Sequence, residues 1–91
     1  MTVIEEIKNA LTLAKVRLGG APGFELFIST VAQLEYLLSV MTGEEKDRSR
    51  LKDIIVGHFA VREFEESDPE FAQALKAAQF IASKAAKGLK V

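Results

Sequence analysis

Apolar residues recur along the chain in four runs with a helical period. Ile4, Ile7, Leu11, Ala14 and Leu18 are spaced by three or four positions, the stripe of an amphipathic helix. Just ahead of them, Thr2-Val3-Ile4-Glu5 has the form of a capping box, in which the hydroxyl takes the third helical amide and the glutamate reaches back. Gly19-Gly20-Ala21-Pro22-Gly23 ends the run, because glycine accepts the left-handed cap and proline cannot continue a helical ladder. A second stripe holds Phe24, Phe27, Ile28, Val31, Leu34, Leu38 and Met41 and stops at Thr42-Gly43. Leu26, Leu37 and Val40 lie off that stripe, which makes this the expected central helix.

A third helix is expected to open at Asp47 or Ser49, with Leu51, Ile54, Ile55, His58 and Val61 turned inward. Gly57 in its middle costs about 0.5–1 kcal/mol relative to alanine and so points to a neighbouring helix at close range. Ser67 or Asp68 caps the fourth helix and Pro69 occupies its first turn. Phe71, Leu75, Ala78, Ile81, Ala82 and Ala85 form its apolar face, and Gly88 stops it. No stretch of useful length alternates with period two. The pattern predicts an all-α fold, a compact bundle of about four helices forming one domain over residues 1–91.

Composition narrows the function more than the fold. Ninety-one residues supply one core, and the absence of cysteine excludes disulfide frameworks, thiolate metal sites and thiol nucleophiles. The longest charge-free run, from residue 26 to 34, is far below the roughly 20 apolar residues of a membrane span. No basic segment followed by an apolar stretch and a cleavage site opens the chain, so an intracellular protein is expected. His58, the one histidine, falls on the predicted inner face and reads as a packed side chain. No serine lies in a G-x-S-x-G elbow, and the glycines of residues 19–23 match no phosphate-binding loop. Glu63, Glu65, Glu66, Asp68 and Glu70 are dense, yet Pro69 stands where a calcium loop needs a glycine-bearing turn. The expectation is therefore no enzyme, no metal and no cofactor.

A net charge of -1 hides strong segregation. Residues 19–45 hold four acids and no base, residues 60–70 hold five acids and Arg62, and residues 71–91 hold four lysines and no acid. Part of this suits the dipole of the last helix. On the third helix, 100° steps place Val56, Ala60 and Glu63 on a strip opposite the predicted core stripe. With Glu66, Asp68 and Glu70 this strip is the candidate partner-binding site, suited to a positive cleft. Phe80 is a second outlier, among Gln73, Lys76 and Lys84.

The chain also resembles a known family: the small all-helical immunity proteins that neutralise NAD(P)-degrading toxins delivered by the bacterial type VI secretion system. The stretches carrying the resemblance are Pro22-Gly23-Phe24-Glu25, Gln33-Leu34-Glu35-Tyr36 with Ser39-Val40, and Asp47-Arg48-Ser49. Ala60-Val61-Arg62-Glu63-Phe64 with Asp68-Pro69-Glu70, then Ala74-Leu75-Lys76 and Gly88-Leu89-Lys90-Val91, continue it. Met1-Thr2 with Ile4-Glu5 and Ala10-Leu11 open it, so that the likeness spans nearly the whole chain. The resemblance implies a cytoplasmic antitoxin that binds the toxin domain of a cognate effector and occludes its nucleotide cleft, with no cofactor, no nucleic acid and no membrane involved. The alternative is a homodimeric helical adaptor or regulatory protein, with Tyr36, Val40, Val56 and Ala60 forming the dimer core. A nucleic-acid-binding bundle using Lys84, Lys87 and Lys90 has weak support, since no aromatics or arginines interleave them.

Overall fold

Thr2 opens the first helix as its sequence predicts. Its hydroxyl accepts the Glu5 amide at 3.2 Å and Glu5 accepts the Thr2 amide at 3.1 Å. In the computed structural model, which describes residues 2–90, this helix, α1, spans Val3–Gly20. Met1 and Val91, which bound the predicted domain and the resembling stretches, lie outside the described residues. Helix α2 spans Glu25–Thr42 and closes on Gly43, whose φ of 87° is the left-handed cap that glycine tolerates. Helix α4 spans Pro69–Ala86; Asp68 caps it and Pro69 sits in its first turn.

The central helix is α4, not α2 as the apolar pattern suggests. Phe71, Ala72, Ala74, Leu75, Ala78, Ile81, Ala82 and Ala85 are all buried along α4, which packs against α1 on one side and the third segment on the other. Its alanines have little bulk and let neighbours approach closely. Helix α2 lies chiefly on α1, with Thr30, Val31, Leu34, Leu37 and Val40 inward. Phe24 and Ile28, assigned to its inner stripe, are 46% and 45% exposed. Among the described residues Thr30 is the one buried polar residue, and its hydroxyl donates to the Leu26 carbonyl one turn back, at 2.7 Å.

The third predicted helix is broken. A 3-10 turn covers Leu51–Asp53, the chain is extended at Ile54, and α3 takes only Val56–Phe59 before widening into a π-turn over Ala60–Phe64. The break carries the helical register away from the one projected from Leu51. Leu51 and Ile54 are buried as expected, but Ile55, His58 and Val61 point out, and Val56, Gly57, Ala60 and Phe64 point in. Upstream, Asp47 accepts the Ser49 amide at 2.9 Å and so closes a turn instead of starting a helix. Tyr36 pins that loop to α2: its hydroxyl donates to the Asp47 carbonyl at 2.8 Å and accepts the Arg50 amide at 3.2 Å.

Candidate partner-binding face

One end of the bundle gathers the C-terminus of α1, the N-termini of α2 and α4, and the π-turn. A chain of phenylalanines joins them. The Phe24 and Phe27 rings meet edge to face at 4.8 Å, Phe27 stacks on Phe64 at 5.8 Å, and Phe64 lies 5.0 Å from Phe71. The inner members of this chain are core. Phe24 at its rim is half exposed, and Val61, three residues before Phe64, is 60% exposed.

Val56 and Ala60 do not belong to any accessible strip. Both are 0% exposed and pack in the seam between the third segment and α4. Their assignment to a partner-binding surface is corrected, because the break at residues 54–55 turns this side of the helix inward. Val40 is likewise buried, at 4%. With Val40, Val56 and Ala60 inside one chain, and the Tyr36 hydroxyl tied to its own loop, the side chains assigned to a dimer core do not form a surface.

The five acids of residues 60–70 divide into two groups. Asp68 is held inside the fold: Arg17 donates to its carboxylate through Nε at 2.6 Å and through a terminal nitrogen at 3.0 Å. The same guanidinium donates to the Leu13 carbonyl and lies 4.7 Å over the Phe71 ring. Arg17 holds the Asp68 carboxyl below its ordinary value, and the pairing raises the guanidinium in turn. Glu65 pairs with Lys76 at 3.0 Å. Among the described residues Glu63 and Glu66 enter no ion pair, and both are exposed. The Glu70 side chain is 77% exposed, with Arg17 at 3.9 Å.

Glu63 and Glu66, with Val61, Arg62, Glu65 and Ser67, line a shallow open hollow of about 470 Å³. Its lining offers carboxylates, a guanidinium and the Ser67 hydroxyl, which donates to the Glu63 carbonyl at 3.2 Å. Among the described residues no three His, Cys, Asp or Glu side chains converge as a metal site, and no helix is long and apolar enough to cross a membrane. The exposed Val61 stands beside outward-facing acids in this hollow.

The exposed Phe24 and Ile28 and the paired Arg17 are the parts of this end that periodicity misassigns or passes over. Arg17 carries no local signal in the sequence, because its partner Asp68 lies 51 residues away.

Comparison with known proteins identifies the family. The Tsi6 family profile matches residues 2–84. The chain is 44% identical to a Pseudomonas aeruginosa PAO1 protein named "Immune protein Tsi6", over 100% of this chain and 97% of that protein. A solved structure of Tse6 in complex with Tsi6 contains a chain of the same fold, at TM-score 0.93 and 43% identity, covering 99% of this chain and 96% of that one. A structure of Tsi6 from Pseudomonas aeruginosa matches at TM-score 0.85 and 44% identity, over 90% of this chain and 95% of that one. A likeness of that depth across the full length, in a fold with the same helices in the same order, places the chain in the Tsi6 family of immunity proteins.

Proposed function

We propose that this chain is the cytoplasmic antidote to a toxin of the type VI secretion system: it binds the toxin domain of its cognate effector and covers the active site. The observation that carries this reading is the end-to-end likeness to Tsi6, a protein solved bound to Tse6. The inhibitor works by occlusion and turns over nothing itself. The toxin it meets degrades NAD(P), whose pyrophosphate calls for a positive cleft. Glu63, Glu66 and Glu70 are the acids that face such a cleft, while Asp68 supports them from within the fold. Complementary potential speeds encounter and disfavours wrong partners, and the apolar patch around Phe24 and Val61 supplies desolvated contact. An antidote acting at low copy number needs nanomolar binding or better, about 12 kcal/mol.

Co-expression with the toxin domain encoded beside this chain's own gene tests the proposal. Growth rescue, a co-purifying complex and suppression of that domain's NAD consumption are expected. Neither rescue nor a complex would remove the antidote reading. Rescue by a complex whose toxin leaves NAD untouched would remove only the assignment of its chemistry.

A further inference from the structure

The break in the third segment leaves backbone groups that no helix satisfies. Ile55 occupies the N-cap position of α3, and its side chain has nothing to offer the first-turn amides. Two glutamines from other helices fill the gap. Gln33 on α2 accepts the Ile55 amide at 2.7 Å. Gln79 on α4 accepts the Gly57 amide at 3.0 Å and donates to the Ile54 carbonyl at 2.9 Å, so one side-chain amide bridges both sides of the break. Each glutamine is oriented by a serine one turn away on its own helix: Gln33 donates to Ser29 at 3.0 Å and Gln79 to Ser83 at 3.3 Å. The fit admits only glycine at residue 57, since a Cβ there would stand 2.6 Å from the Gln79 Cγ and 2.8 Å from its Cβ.

The segment held this way runs directly into the π-turn that carries Glu63 and, just beyond it, Glu66. We infer that Gln33 and Gln79 are positioning residues for the docking face, fixing from two sides the segment that sets where those acids project. The inference rests on the antidote reading for its consequence in binding, while the clamp itself is read out without any partner.

The test uses the polarity of the hydrogen bonds. Gln33 meets the third segment only as an acceptor, so Gln33→Glu should keep the bond and Gln33→Leu should lose it. Gln79 meets it as acceptor and donor together. Gln79→Glu therefore sets a carboxylate oxygen against the Ile54 carbonyl at neutral pH and regains a donor only when acid protonates it. Amide hydrogen exchange on the full chain is the direct readout. Gln79→Leu should speed exchange at Gly57, and Gln33→Leu at Ile55, by about tenfold, the scale of one lost hydrogen bond, with Leu11 and Ala14 of α1 unchanged. Gln33→Glu should behave as wild type, and Gln79→Glu should recover protection on acidification. Affinity for the toxin domain encoded beside the gene should fall by about tenfold in the two leucine variants and stay unchanged in Gln33→Glu. Exchange at Ile55 and Gly57 indifferent to these changes, or rising equally throughout the chain, would overturn the clamp. Loosened exchange with undiminished toxin affinity would overturn its role in docking. Failure of the wild-type chain to bind the toxin would count against the antidote reading alone.

Discussion

Replacing Asp68 by asparagine isolates the pair that ties α1 to the start of α4. Asparagine keeps the oxygen that caps α4 and loses the charge that Arg17 grips through two nitrogens, so cap and ion pair separate. The side chains of Arg17 and Asp68 retain 20% and 31% of their exposure. Solvent screening therefore takes the coupling well below that of a buried pair, while the two-pronged geometry lifts it above the 0–1 kcal/mol of ordinary surface pairs. About 1–2 kcal/mol is expected, or roughly 5–15 °C in melting temperature for a domain this small. A double-mutant cycle with Arg17→Leu, followed by circular dichroism in urea and on heating, measures the coupling apart from the loss of Arg17 packing on Phe71. The pH dependence has a fixed sign. Arg17 holds the folded Asp68 below its unfolded value of about 3.9, so the contribution is complete above that value and is lost as pH falls through the lower folded one. The gap between wild type and Asp68→Asn should stay constant from about pH 7 to 5 and narrow below about 4. A coupling below about 0.3 kcal/mol at neutral pH, or a gap that widens in acid, would refute the reasoning.

Reversing Glu63 and Glu66 to lysine should weaken binding of the cognate toxin domain while moving the melting temperature by no more than a few degrees, because exposed charges contribute little to stability. Calorimetry and a thermal melt on the same preparation check both halves, and unchanged affinity would remove these two residues from the interface. Leu34→Ala, at a site with 0% exposure, should cost roughly 2–5 kcal/mol in urea denaturation. Gly57→Ala should destabilise by roughly 1–3 kcal/mol even though alanine is the better helix former, because the new methyl meets the fixed inner carbons of Gln79 and not a movable tip. A stabilised Gly57→Ala would show that α4 yields there more easily than its packing suggests.

The parts of the fold legible in the sequence are those specified by neighbours in the chain. Thr2 with Glu5, Gly43, and Asp68 with Pro69 are caps whose partners lie within a few residues, and all three sit where local chemistry places them. Gly57 as a point of close approach was legible for the same reason: a mid-helix glycine is costly unless something needs its space. The third segment was not, because its break is satisfied by side chains 22 and 25 residues away. No periodicity within residues 47–66 reports on Gln33 or Gln79. The break also decides which residues the third segment exposes. A face projected through residues 54–55 as unbroken helix puts Val56 and Ala60 outside, whereas the real chain buries them and exposes Ile55 and Val61. Glu63 and Glu66 are exposed in either register, because charge alone keeps them at the surface.

What reads in the sequence as one acidic cluster is two devices in the structure. Asp68 and Glu65 face cations of the same chain, Arg17 and Lys76, and their fields largely cancel beyond the pair. The outward field comes from Glu63 and Glu66, with Arg62 among them and the exposed Glu70 partly offset by Arg17 at 3.9 Å, and at physiological salt it is screened within about 8 Å. A field that short speeds encounter only over the last few ångströms, so in the proposed antidote reading the carboxylates act mainly by where they stand when the surfaces touch. Placement is costly to secure on a short helix, which is marginal without tertiary support. The fold supplies that support at both ends of the segment: Phe64 packed between Phe27 and Phe71 at one end, and Gln33 and Gln79 at the other. A broken, π-widened segment held at both ends can present acids at angles a regular helix does not offer. It can do so with side chains of its own fold, which suits the antidote role proposed above.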